Sequence, residues 1–302
     1  MEANRNSAWW DIAPPLCQAL APIDPIRGQQ NLNDVWEGEV LVLDGPHANT
    51  VQRSVFKRHT HPGKLPVEMA CTLVAGALGN DVPMPCLVQA RAQDLPGLPQ
   101  QPAGQGDLLL FGCAYIQQDR FFEQLSTLAD STLDGAVWNH FCGDAPKAAK
   151  AAALDELITN WDRHPRNLRF DGTRWWLIDH DNSLRETEGK VLSEMEAGFK
   201  AHTNWVAGQL LERRRGDHGM PDAARLAAAR QQQILALSAK INTQWRNNDP
   251  RISNIWQHTA DLVGLISRRL PMLQALLGER IGVQPAPSLQ WPSTPQQPPA
   301  PS

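Results

Sequence analysis

Between residues 37 and 58 apolar and polar side chains alternate in two short runs, EGEVLVLDG and TVQRSVFKR, separated by an Asp44-Gly45-Pro46 turn signal. A period of two sends successive side chains to opposite faces, so these runs predict two strands joined by a turn. The period then lengthens. In LPVEMACTLVAGAL, Leu65, Met69, Leu73 and Leu78 recur at roughly helical spacing and predict a helix with one apolar face. VPMPCLVQA and DLLLFGCAYI return to compact apolar runs and predict two more strands. The intervening LPGLPQQPAGQG is too rich in Pro and Gly to be regular.

After Tyr115 the spacing is helical. DRFFEQLSTLAD, STLDGAVWNHF and the Ala- and Leu-rich APKAAKAAALDELITNW predict helices. So do AHTNWVAGQLLERRR, DAARLAAARQQQILALSAKINTQW and ISNIWQHTADLVGLISRRLPMLQALLGER beyond Glu186. Residues 1–35, rich in Pro, Asn and Gln, predict an irregular lead-in, and the proline-rich 283–302 predicts a disordered tail. The expected organisation is therefore α+β: a small β-rich N-lobe over 36–116 and a larger helical C-lobe over 117–282. This is a two-lobed layout with a cleft, the kind of place where ligands commonly bind.

Composition narrows the class. At 302 residues, 42% hydrophobic and 20% charged, the chain is globular and can bury a sizeable core. A net charge of -4 gives no general pull toward nucleic acid. The five cysteines are scattered without a C-x-x-C pair, which argues against a disulfide framework and a zinc site. His59 and His61 in HTHPGK have no nearby Cys or third His to complete a metal set. No apolar run reaches the ~18 residues of a membrane span, and the N-terminus lacks a secretory pattern, so a cytoplasmic protein is expected.

One stretch carries chemistry: NWDRHPRNLRFDGTRWWLIDHDNSL, residues 160–184. Asp171-Gly172 is a two-residue hairpin signal, which predicts Phe170 opposite Thr173 and Asn167 opposite Trp176. At ~3.3 Å per residue Asp179 then lies about 10 Å beyond Asn167's partner, toward the segment that carries Asp162. Asp162, Asn167 and Asp179 could converge, and hard divalent cations want such oxygen ligands. The competing reading is a surface hairpin whose Asp and Asn serve as caps and turn residues. An ATP site also needs a cation over the phosphates. Lys57, on the strand SVFKR, and Glu68, on the predicted helix, can supply a cation and its ion-pair partner, although either could equally be solvated.

ITNWDRHPRNLRF followed by LIDHD resembles the catalytic core of HipA-type serine/threonine kinases, whose N-x-D-R-H-x-x-N is followed by an Asp after the next strand. Phosphatidylinositol kinases and their protein-kinase relatives share the D-R-H-x-x-N pattern. The resemblance implies a protein kinase-like fold and an ATP- and Mg²⁺-dependent transfer of the γ-phosphate to a protein Ser/Thr hydroxyl. It implies Asp162 as general base, Asn167 and Asp179 as Mg²⁺ ligands, and Lys57, paired with Glu68, on the phosphates. It leaves Arg163 without a firm role. His164 could relay a proton, and Asp181 is either a second metal contact or a cap. No G-x-G-x-x-G loop precedes Lys57, and DGPHANT (44–50) offers a single glycine. A shorter or degenerate HipA-like kinase is expected, with a protein substrate and an antitoxin-like regulatory partner as an open question. Small-molecule phosphotransferases of the aminoglycoside or choline type, and a pseudokinase that regulates a partner, remain alternatives.

Overall fold

The structure, a computed structural model, describes residues 9–26, 33–98, 106–125, 130–184, 203–214, 218–245 and 247–282. The predicted disordered tail and the middle of the Pro- and Gly-rich segment lie outside these residues.

Both alternating runs form strands. β2 (Asp34–Val42) and β3 (Val51–Arg58) pair antiparallel, with Val40 opposite Gln52 and Val35 opposite Lys57. β4 (Pro85–Ala90) and β5 (Leu108–Ala114) pair with each other, and β5 also joins β3. The lead-in is not irregular throughout. Leu16–Pro25 is a strand, β1, antiparallel to β2 and parallel to β4, and it closes a five-stranded barrel in the order β1-β2-β3-β5-β4. Pro22 is tolerated because the register slips between Ala19 and Ile23, and it falls within that bulge, where a ladder N–H is not needed, while Pro25 ends the strand. The barrel interior is filled by Cys17, Trp36, Val40, Phe56, Val88 and Leu110 among others. Gly112 is required by this filling: a Cβ there would stand 2.5 Å from Val88 Cγ2 and 2.7 Å from Cys86 Sγ.

The helix predicted after β3 is α1 (Lys64–Ala77), but it has no solvent face: every residue from Leu65 to Ala77 is buried. The barrel strands β4 and β5 lie against it, and so does the long helix α8 (Pro250–Arg269). Trp9 sits over Gly76, where a Cβ would come within 2.4 Å of the indole. The C-terminal end is closed by Arg230, whose Nη1 donates to the Ala77 carbonyl at 2.5 Å. Two polar side chains, Glu68 and Thr72, are carried inside with it.

The remaining described helices are α2 (Arg120–Leu125), α3 (Asp130–Gly143), α4 (Ala145–Leu157), α5 (Trp205–Arg213), α6 (Met220–Ala228), α7 (Gln231–Gln244) and α9 (Leu273–Arg280). α4 starts with Asp144 as N-cap, accepting from Lys147 N at 3.3 Å, and Pro146 in its first turn. Its alanines let α5 and α6 approach closely, and it is buried from Ala151 to Leu157. It ends four residues before the predicted Trp161, because the chain turns through a left-handed Thr159 (φ 50°). The two long C-terminal helices are each broken. α6 and α7 part at Ala229–Arg230, the turn that sends Arg230 back to α1. α8 and α9 part at a 3₁₀ turn, Leu270–Met272, around Pro271, which has no N–H to continue the ladder. Among the described residues no helix is long and apolar enough to cross a membrane.

Gly112→Ala should destabilise the barrel by about 1–3 kcal/mol, because neither Val88 nor Cys86 has room to withdraw. Chemical denaturation with an unchanged slope is the measurement, and a loss below about 0.5 kcal/mol would contradict the close packing described.

Candidate functional site

The motif segment begins where α4 ends. Asn160 Nδ2 donates to Asp155 Oδ1 at 3.1 Å, and Asn160 Oδ1 accepts from Asp162 N at 3.1 Å. Arg163 is fully buried. Its Nε and Nη2 reach the two Asp155 oxygens at 3.2 and 3.1 Å, while Nη1 donates to the carbonyls of Asn167 and Ile178 at 3.2 and 2.7 Å. One guanidinium thus ties α4 to both arms of the hairpin, a role that the sequence left open. Asn167 Nδ2 donates to the Asp162 carbonyl at 2.8 Å, which fixes the two motif residues to each other.

The hairpin consists of β6 (Leu168–Phe170) and β7 (Trp175–Leu177), and its register differs from the predicted one. Phe170 pairs with Trp175, not Thr173, so the loop is four residues long. Asp171 is the cause. Its Oδ1 accepts from Thr173 N, Thr173 Oγ1 and Arg174 N at 2.7–2.8 Å, and its Oδ2 accepts from Trp176 Nε1 at 2.7 Å. These bonds outweigh the Asp-Gly preference for a two-residue turn, with Gly172 taking the left-handed position at φ 92°. Burial pushes the Asp171 carboxyl up, but the bonds from Trp176, Thr173 and Arg174 more than offset it and lower the pKa to about 2. The shift moves Asn167's partner from Trp176 to Ile178, whose N–H donates to the Asn167 carbonyl at 3.1 Å. Asp179 therefore follows immediately after Asn167's partner, nearer than the three-residue offset predicted.

Asp179 adopts a left-handed backbone, φ 59°, and pairs with Lys57 Nζ. The same ammonium lies 2.8 Å from Glu68 Oε2 and 3.4 Å from Asp181 Oδ2. The predicted Lys57–Glu68 pair is thus present. Burial alone would drive Lys57 toward its neutral form, but Asp179, Glu68 and Asp181 reverse this and hold it well above the ordinary lysine range. Asp181 also accepts from Asn33 Nδ2 at 2.6 Å and lies 3.4 Å from His59 Nδ1. Burial would raise its pKa, yet His59 and Lys57 hold it far below the carboxylate range. Asp181 faces inward among these partners.

His59, which has no metal-ligand partner near it in the sequence, has its ring between two carboxylates in the fold. Nε2 is 3.0 Å from Glu68 Oε2, and Nδ1 faces Asp181, both at ion-pair distance without the alignment of a good hydrogen bond. His59, Glu68 and Asp181 offer ligand atoms within 4.8 Å of one another. Lys57 already contacts both of those carboxylates, however, and each ring nitrogen faces a different one, so the chain supplies its own cation there. Burial would lower the His59 pKa, but Asp181 and Glu68 raise it above the ordinary value.

The carboxylates differ in access. Asp179 is 38% and Asp162 28% exposed, whereas Glu68 and Asp181 are 3% and 2% exposed. The floor is buried, and the mouth presents Asp162 and Asp179. His164 is half-exposed at the rim, its Nε2 3.9 Å from Asp162 Oδ1. Asn182 reaches Asp162 from the other side and also meets Lys64. A separate cavity of about 530 Å³ opens beside Asn139, Asp144, Arg174 and Trp175, and none of the predicted site residues lines it.

No known sequence family matches the chain, and no curated protein matches it. Among solved structures, the crystal structure of a Helicobacter pylori proinflammatory kinase, CtkA, is similar at a TM-score of 0.47 and 11% identity. The similarity covers 87% of this chain and 96% of that one. The similarity is weak.

Asp155→Ala should cost about 3–5 kcal/mol by leaving the buried Arg163 unpaired, measured by thermal or denaturant unfolding. The Asp171 carboxyl should titrate near its depressed value of about 2 by NMR. Because the folded pKa lies below the unfolded one of about 3.9, its stabilising contribution is present above that value and lost as pH falls toward 2. Asp171→Asn should remove this part of the acid dependence.

Proposed function

We propose that the chain is a phosphotransferase that binds ATP with Mg²⁺ and transfers the γ-phosphate to a hydroxyl, the acceptor being a protein Ser or Thr as in the HipA-type kinases its motif resembles. One observation carries the reading: Lys57 pairs with both Glu68 and Asp179, in a site where Asp162 and Asn167 are bonded to each other. A buried ammonium, a helix-borne carboxylate that presents it, and oxygen ligands from the buried Asn167 and from Asp179 at the open mouth are the parts that phosphoryl transfer asks for.

In this reading Lys57 neutralises phosphate charge, and Glu68 keeps its ammonium aimed at the mouth. Asn167 Oδ1, on the branch opposite the amide bonded to Asp162, and the partly exposed Asp179 would hold Mg²⁺, which supplies charge neutralisation at the phosphates. Asp181 keeps to the floor and anchors Lys57 and His59. Asp162 orients the acceptor hydroxyl and takes its proton, and His164 at the rim can pass that proton to solvent. The chemistry asked of the protein is alignment and charge stabilisation, without a covalent intermediate.

The β2–β3 turn supports a second reading. It contains one glycine, Gly45, and Asp44 in it accepts from Leu16 N at 2.8 Å, so it is tied to β1. A nucleotide-binding protein that does not transfer phosphate is compatible with such a turn.

The test uses γ-labelled ATP and Mg²⁺ with lysate proteins, and separately with aminoglycosides, as acceptors. Asp162→Ala should lower kcat by about 10²–10⁴-fold with nucleotide binding nearly intact. Asp179→Ala should abolish Mg²⁺-dependent nucleotide binding, and Lys57→Met should weaken binding and transfer together. Binding without transfer to any acceptor would favour the second reading, and absence of nucleotide binding would overturn both.

A further inference from the structure

Asn182 lies outside the motif residues, yet it stands between Asp162 and α1. Its Nδ2 donates to Asp162 Oδ2 at 2.8 Å, and its Oδ1 accepts from Lys64 Nζ at 2.8 Å. The two ends of a carboxamide have nearly the same shape and opposite hydrogen-bonding character, so something must decide which end faces the carboxylate. Lys64 decides it. An ammonium donates and has no lone pair with which to accept, so it draws the amide oxygen and leaves the NH₂ for Asp162. The flipped amide would set N–H against the ammonium and oxygen against the carboxylate, losing two charge-assisted hydrogen bonds together.

Lys64 is the first residue of α1, whose following residues are all buried. Asn182 belongs to a loop that the barrel and α1 hold residue by residue: Asp179 by Lys57, His180 by Thr72 at 3.5 Å, and Asp181 by Lys57 and His59. With Oδ2 engaged by Asn182, Asp162 Oδ1 is the oxygen left on the side of His164.

We propose that Asn182 is a positioning residue for Asp162, selecting Oδ1 as the oxygen that meets the acceptor hydroxyl, and that Lys64 acts through it by fixing the orientation of the amide. The inference rests on the reading of Asp162 as general base. Neither side chain is assigned a contact with the nucleotide, so their loss should appear in kcat and not in the KM for ATP.

The experiment combines kinetics with a spectroscopic reading of the contact. Asn182→Ala should lower kcat about 10–100-fold, the scale on which small misplacements of a reacting group are felt, with the KM for ATP within about twofold. Lys64→Met should lower kcat less, and the double variant should stay close to Asn182→Ala alone, since the hydrogen bonds that lead from Lys64 to Asp162 run through Asn182. Asn182→Asp should be slower than Asn182→Ala, because it sets a carboxylate against a carboxylate. Unchanged kcat in Asn182→Ala, multiplying losses in the double variant, or a KM for ATP that rises as far as kcat falls would each overturn the proposal. The Asn182 side-chain NH₂ resonance, assigned by its loss in Asn182→Ala, should move in both Asp162→Ala and Lys64→Met, with or without substrate. A resonance unmoved in both would sink the relay even in an active enzyme, whereas failure of the wild type to transfer phosphate would sink the reading of the site and leave the amide resonance to decide the contact.

Discussion

A buried ammonium in contact with three carboxylates is the constraint from which the rest of the site follows. Taking one charge out of water costs several kcal/mol, and the mutual attraction of the charges repays this only when the geometry is good. Lys57 on β3, Glu68 on α1, and Asp179 and Asp181 after β7 meet that demand together. None of them can be in place unless the barrel, α1 and the hairpin loop are all assembled. The ion cluster ties the site to assembly of the fold, and His59 extends it by standing between Glu68 and Asp181, the two most buried carboxylates of the cluster.

A second buried charge does the corresponding work on the helical side. Arg163 spends its guanidinium on Asp155 and on two hairpin carbonyls, so α4, the motif loop and both hairpin strands form one unit. Between the two frames, Asp162 and Asp179 remain partly accessible while Lys57, Glu68, Asn167 and Asp181 are buried.

The strands β2 and β3 are legible from their local alternation, and β4 and β5 from compact apolar runs bounded by Gly and Pro. The spacing of Asp162 and Asn167, and the order of Lys57 and Glu68 before them, are legible because they too are local. β1 was hidden by its prolines and its bulge, which break the alternation that a strand normally shows. The hairpin register differs from the Asp-Gly expectation because the Asp171 side chain caps a four-residue loop. The amphipathic reading of α1 failed because Trp9 and α8 cover the face expected to meet water. Asn182 and Lys64 carry no signal, and His59 lacks sequence-near partners because Glu68 and Asp181 reach it only through the fold. Lys64 and Asn182 are 118 positions apart, and such a contact exists only once the fold has been made.

The covering of α1 bears on how such a site can be governed. With Trp9 over Gly76, Arg230 on the final carbonyl and α8 along its flank, α1 has no direction in which to swing. Withdrawing Glu68 from Lys57 would mean unpacking the core, so this helix is a fixed post and not a lever. Control of the site then falls to whatever can enter the mouth at Asp162 and Asp179.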